Sequence, residues 1–143
     1  LVGVELRKAQ ADLLIDGVDI SPEMLAVAAQ KDLYHSLYEA DLTADVAVLR
    51  NGYAALISAG TFTHGHLGPE PIAGLISCCC SGAQAVIGVN AAHHEAHGFA
   101  PFMDELEANG RITSPEYDEV MIYDGSDQDH TGDTALIMRF AII

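Results

Sequence analysis

A short apolar run that closes on a carboxylate and turns at once into a helix constrains this chain more than any other stretch. Leu13 to Met24 reads L-L-I-D-G-V-D-I-S-P-E-M. Leu13 to Ile20 predicts a strand that brings Asp19 to its end. Ser21 then suits a helix N-cap and Pro22 the first helical position. Glu23 suits the positive end of the helix dipole. Strand, acid, turn and helix in that order belong to α/β sheets. There the carboxyl end of a strand can offer a fixed carboxylate to the two neighbouring hydroxyls of a ribose. The plainer reading of Asp19 is a surface acid that starts a helix. Its place directly behind an apolar strand favours the ligand role.

The remaining pattern alternates in the same way. Leu1 to Ala9 predicts a helix, with Val2, Leu6 and Ala9 at helical spacing. Pro22 to Asp32 predicts a second, striped by Leu25, Ala28, Ala29 and Leu33. Ser36 to Asp41 is a short strand ending in a second acid. Tyr53 to Ala59 is a continuous apolar run, as expected of a strand buried on both faces, and it ends in Gly60-Thr61. A helix opens at Pro69 or Pro71 and runs to the cysteines. Ala83 to Val89 is another strand, ending at Asn90. Asn90 to Gly98 is expected to be a loop, followed by a helix from Phe99 to Asn109 that Gly110 stops. Glu119 to Tyr123 and Thr134 to Ile143 are strands joined by an acidic, turn-rich and mobile loop, hence an antiparallel pair. The sum is an α/β chain: a doubly wound, mostly parallel sheet with an antiparallel C-terminal strand, in a single domain. In such sheets ligands bind beyond the carboxyl ends of the strands. Asp19, Asp41, Gly60-Thr61 and Asn90 all fall at such ends.

Charge narrows the ligand. The 143 residues carry 21 acids against 6 bases, a formal charge of −15. That field repels a phosphate backbone, so no nucleic-acid partner is expected, and a small neutral or cationic molecule is easier to accept. The acidity also has a plain reading, solubility. Half the residues are apolar, enough for one core. No apolar run approaches the ~20 residues needed to span a bilayer, and no signal peptide is evident. Cys78, Cys79 and Cys80 are consecutive and odd in number. That is no disulfide framework, suits a reducing cytoplasm, and fits small apolar filling better than metal ligation.

These residues resemble the class I S-adenosylmethionine-dependent methyltransferases. D-I-S-P-E-M-L, from Asp19 to Leu25, is similar to that superfamily's D-x-S-x-x-M-L, in which the acid holds the ribose hydroxyls. Asp41-Leu42 resembles the acid and apolar residue that meet the adenine. Ala59-Gly60-Thr61 matches the end of the fourth strand, beside the methionine moiety. S-A-G-T-F-T-H-G-H-L-G-P, with V-N-A-A-H after the next strand, resembles a subgroup related to the Williams–Beuren-region methyltransferase-like proteins. The likeness spans nearly the whole chain. It implies S-adenosyl-L-methionine as cofactor, S-adenosyl-L-homocysteine as product, and contacts from Asp19, Ile20, Met24, Asp41, Leu42, Ala59, Gly60 and Thr61. Two departures stand out. The superfamily's first strand and Gly-rich loop, D-x-G-C-G-T-G, are absent and are expected just before Leu1, which would set Asp19 ~20 residues past the loop. The usual Leu-Lys-Pro-Gly-Gly turn is replaced by Cys79-Cys80-Ser81-Gly82-Ala83.

Methyl transfer from a sulfonium is an in-line displacement that needs alignment and desolvation but no nucleophilic side chain. A base is required only if the acceptor must lose a proton early. His64 and His66, just past the fourth strand, could act as base, orient the acceptor or simply face solvent. Asn90 could bond to substrate or to loop backbone. H-H-E-A-H, at His93, His94 and His97, departs from zinc-hydrolase spacing, since Glu95 does not directly follow His93; no metal is expected. Arg7, Lys8 and Arg111 are too scattered for a phosphate cradle. The expected function is methyl transfer to a small molecule in the cytoplasm. A nicotinamide-dependent oxidoreductase of related fold, or a nucleotide-binding module without activity, is the alternative.

Overall fold

The computed structural model describes residues 2–44, 46, 48–49, 51–63, 67–122 and 134–143. His64, His66 and the acidic stretch at 124–133 lie outside the described residues. The chain divides into two compact units, Leu1–Leu49 and Arg50–Ile143.

In the first unit, α1 (Val2–Ala9), β1 (Asp16–Asp19), α2 (Pro22–Ala29) and β2 (Ser36–Glu39) follow in order. β1 and β2 are parallel, in register from Asp16↔Ser36 to Asp19↔Glu39. The strand expected over 13–20 is cut to four residues for a visible reason. The Arg7 guanidinium donates to the carbonyls of Ala11, Leu13 and Leu33 at 2.6, 2.7 and 2.5 Å. Leu13 thus gives its acceptor to a side chain and not to a ladder, and Leu14 is left 82% exposed. α2 stops short of Asp32. Its last turn tightens through Lys31 N–H to Ala28 and Asp32 N–H to Ala29, and Asp32 turns left-handed at φ 50°. Tyr34 lies so close over Gly3 and Gly17 that a Cβ there would meet its hydroxyl oxygen at 2.7 Å and its ring at 3.2 Å.

The second unit contains β3 (Tyr53–Phe62), α3 (Pro71–Ser77), β4 (Cys79–Asn90), α4 (Ala91–Ala96), α5 (Phe99–Ala108), β5 (Glu116–Met121) and β6 (Thr134–Ala141). Its strands lie in the order β3-β4-β6-β5. β3 and β4 are parallel, and β6 is antiparallel to both β4 and β5. Only β6 therefore runs against the rest of this sheet, as the loop-joined strand pair predicted. Alternate β4 residues Ala83, Ala85, Ile87 and Val89 face inward with Met138 and Phe140 of β6. Ile72 and Ile76 of α3 pack onto them, as do Phe99, Met103 and Leu106 of α5, which share one helical face at 3- and 4-residue steps. Each such fully buried large side chain contributes about 1.5–3 kcal/mol of transfer free energy.

Several expectations change here: β4 begins at Cys79, ahead of the expected Ala83, and β5 spans Glu116–Met121 where 119–123 was expected. The apolar run at 53–59 is not buried on both faces: Ala54, Ala55, Ile57 and Ala59 are exposed, Ile57 at 40%. β3 also continues through Gly60 and Thr61 to Phe62, so those residues lie within the strand. The segment at 91–96, expected to be a loop, is helix α4, because Asn90 caps it: its Oδ1 accepts the His93 N–H at 3.0 Å. By contrast Gly110 stops α5 as expected. With φ 66°, its N–H donates to Glu107 and the next N–H, of Arg111, to Leu106, which together absorb two orphan carbonyls. Cys78 is buried at the end of α3, while Cys79 and Cys80 begin β4; the Cys78 and Cys79 thiols donate to the carbonyls of Gly74 and Leu75.

Candidate functional site

Asp19 and Asp41 share one rim of the first unit, with Glu39 between them in the chain. Asp19 and Glu39 are register partners, so β1 and β2 finish level. The chain leaves β2 through Ala40, whose N–H donates to the Asp19 carbonyl at 3.1 Å, and reaches Asp41 next. Both acids therefore stand at the carboxyl edge of a parallel pair, where ligands bind in such sheets.

The local sequence builds the Asp19 corner. Asp19 Oδ1 accepts the Ser21 N–H at 2.9 Å, bending the chain as an Asx turn does. Ser21, at φ −93° and ψ 114°, caps α2: its Oγ accepts the Met24 N–H at 3.2 Å and donates to Glu23 Oε2 at 2.9 Å. Pro22 follows at the first helical position. The Glu23 carboxyl is held below its usual range by its own backbone N–H and then by the Ser21 hydroxyl. Asp19 is half-buried, and its Oδ2 accepts no hydrogen bond among the described residues. Ile20, next in the chain, and Met24, in the first turn of α2, are 64% and 56% exposed.

Asp41 forms a tight turn of its own. Oδ1 accepts the Thr43 hydroxyl at 2.7 Å and the Thr43 N–H at 2.9 Å. These two bonds, the hydroxyl first, hold its carboxyl below the usual carboxylate range. At neutral pH Asp41 is ionised and can only accept. The neighbouring Leu42 is half-buried.

In the second unit the expected residues sit at the carboxyl ends of β3 and β4. Ser58 pairs with Ile87 and Phe62 with Val89, so Ala59, Gly60 and Thr61 stand opposite Gly88 alone. This bulge turns on Gly60, whose φ of 84° is left-handed and whose Cβ position is open space. Asn90, 6% exposed, gives its Oδ1 to the α4 cap, which is the backbone-bonding reading of that residue.

Of the histidines after Asn90, His93 and His94 are packed and His97 is exposed. His93 is 2% exposed and its ring lies 4.1 Å from that of His97. His93 Nε2 stands 2.9 Å from the Leu67 carbonyl oxygen, and since a carbonyl only accepts, Nε2–H donates. His94 stacks on Phe99 at 5.5 Å and meets the edge of Tyr117 at 5.6 Å. Burial lowers the His94 pKa, and its enclosed Nε2 has no hydrogen-bond partner among the described residues. Among the described residues no group of three or more His, Cys, Asp or Glu is placed to hold a metal, and no helix is long and apolar enough to cross a membrane. Two residues weighed from the sequence only as a scattered base and as a metal candidate organise these surfaces instead: Arg7, which binds three carbonyls, and His93, which reaches Leu67.

No protein-family model matches the sequence, and no curated protein matches it significantly. Solved structures do match the fold. The N-methyltransferase NodS from Bradyrhizobium japonicum WM9 aligns with 98% of this chain and 80% of its own, at 16% identity and a TM-score of 0.62. NodS has also been solved in complex with S-adenosyl-L-homocysteine. A TehB-like SAM-dependent methyltransferase from Corynebacterium glutamicum aligns over 99% of this chain and 74% of its own, at 21% identity and 0.63. An rRNA methylase from Streptococcus thermophilus covers 91% of this chain, and is covered over 74% of its own, at 11% identity and 0.56. The chain thus has the Rossmann-like α/β fold of the S-adenosylmethionine-dependent methyltransferases, with one antiparallel strand near its C-terminus.

Proposed function

We propose that this protein is an enzyme that transfers a methyl group from S-adenosyl-L-methionine to a small-molecule acceptor in the cytoplasm. One observation carries the reading: on a methyltransferase fold, the Asp19 carboxylate ends β1 with Oδ2 uncommitted, on the same rim as the ionised Asp41. The donor set fits an adenosyl group. A ribose diol offers two O–H donors, and Asp19 has one uncommitted oxygen and a further lone pair on the other. An exocyclic amine offers an N–H donor, and Asp41 accepts. Ile20, Met24 and Leu42 supply apolar surface for the ring and sugar edges.

In this reading Asp19 fixes the sugar, Asp41 orients the base, and the apolar neighbours exclude water from both. The bound cofactor supplies the electrophilic methyl group and the sulfur leaving group. The chain supplies alignment. Ala59, Gly60 and Thr61 are assigned to the methionine end by the resemblance alone. His64 as base or acceptor guide, and His66 and Asn90 as acceptor contacts, rest likewise on sequence position. So does the finer kinship with the Williams–Beuren-region subgroup. The formal charge of −15 favours a small neutral or cationic acceptor over a nucleic acid. The treatment of 1–143 as part of one methyltransferase domain belongs to the same proposal.

Calorimetry on the full-length protein with S-adenosyl-L-methionine, S-adenosyl-L-homocysteine and NAD tests it. Binding of the two sulfur compounds and not NAD is expected. Tight NAD binding with neither sulfur compound would replace the reading by a nicotinamide-dependent oxidoreductase.

A further inference from the structure

Beyond the rim residues, one buried polar side chain ties the carboxyl end of β4 to the chain leaving β3. Asn90 Oδ1 holds the His93 N–H at 3.0 Å, which sets the first turn of α4. From that turn the His93 imidazole reaches back 26 residues and donates Nε2–H to the Leu67 carbonyl at 2.9 Å. The same cluster grips the chain on the strand side. Phe62, fully buried, meets Phe99 edge-to-face at 5.8 Å, and Phe99 lies 5.7 Å from the His93 ring. Phe62 directly follows Thr61, the last residue of the β3 bulge. So the chain is held at Phe62, directly after Ala59, Gly60 and Thr61, by packing, and at Leu67 by a part-buried hydrogen bond.

A packing role needs only bulk at position 93. The directed bond does something more. Leu67 is half-buried and outside any helix or strand, so no ladder fixes its carbonyl. A buried N–H aimed at such a carbonyl fixes the direction of the chain as well as its position. We infer that His93 is a positioning residue for the transfer site, holding the chain beyond β3 so that the Ala59–Gly60–Thr61 bulge keeps the shape that meets the ligand. The inference rests on the methyltransferase reading above.

Two variants that differ by one methylene separate the bond from the bulk. In His93→Gln the amide nitrogen falls about where imidazole Nε2 lies and can still donate to Leu67. In His93→Asn the amide is too short to reach. Both keep a polar side chain in the first turn of α4. S-adenosyl-L-homocysteine affinity is measured by calorimetry on the full-length protein and both variants, below their thermal midpoints. His93→Asn is expected to bind about tenfold more weakly, the loss of one directed, part-buried hydrogen bond, and His93→Gln within about threefold of the natural chain. Imidazole 15N spectra of the natural protein should show position 93 as the Nε2–H tautomer. Equal affinities in the two variants would overturn the inference while leaving the methyltransferase reading intact. So would loss of the fold in both, since position 93 would then be structural only. A natural chain that binds no S-adenosyl-L-homocysteine would overturn the underlying reading, and this inference with it.

Discussion

Replacing Asp19 by Asn tests the proposed sugar contact with little disturbance of the fold. The Asn side chain keeps an oxygen where Oδ1 accepts the Ser21 N–H at 2.9 Å, so the turn into α2 survives. It places an NH2 where Oδ2 stands uncommitted. One diol O–H then faces a donor, and the other loses a charged acceptor. Hydrogen bonds to charged groups contribute about 1.5–3 kcal/mol net each. A loss of about 2–3 kcal/mol follows, or roughly 30- to 150-fold weaker S-adenosyl-L-homocysteine binding. Asp19→Ala removes both acceptors and should weaken binding at least as much. It also loses the turn bond, which costs the fold about 1 kcal/mol. Calorimetry gives the affinities, and urea melts followed by circular dichroism give the stabilities. Affinity within about threefold of the natural protein in both variants, with the fold intact, would remove Asp19 from the site.

Three further outcomes follow from the second unit. Phe99, fully buried against Phe62, His93 and His94, should cost about 3–5 kcal/mol of stability when replaced by Ala, read from urea unfolding. Gly110→Ala, which forces a Cβ into φ 66°, should destabilise by about 1 kcal/mol in the same assay, and Gly110→Asn by less. Burial lowers the His94 pKa, so the folded state holds fewer protons at that ring than the unfolded chain does. The stabilising contribution is complete above the unfolded value near 6.5 and is lost as pH falls below it through the folded pKa. His94→Phe should therefore flatten the acid limb of the stability–pH curve, and an unchanged limb would show that the ring is protonated without cost.

Local chemistry made much of this molecule readable from its residues. D-I-S-P-E-M states a strand end, a turn and a capped helix in six letters, and the side-chain bonds of Asp19 and Ser21 are those the residue types demand. Gly110 ends α5 because only a residue tolerant of positive φ closes that turn. Asp41 showed both sides of an ambiguity: D-L-T makes the turn through Thr43, and the turn itself keeps the carboxylate ionised. Asn90 was harder, because Asn before Ala-Ala-His serves a loop as well as a cap, and the cap is decided by whether the next N–H groups are buried and need an acceptor.

Periodicity and composition fix what a segment can become, since they act within a few residues along the chain. The α/β alternation, the antiparallel last strand and the acids at strand ends are of that kind. Neighbours in space decided the rest. Arg7 takes the Leu13 carbonyl and shortens β1, β3 leaves Ile57 of an apolar run exposed, and His93 finds an acceptor 26 residues away. Hydrogen bonds between distant residues leave no period in a sequence, because each depends on which backbone group the folded chain has left without a partner.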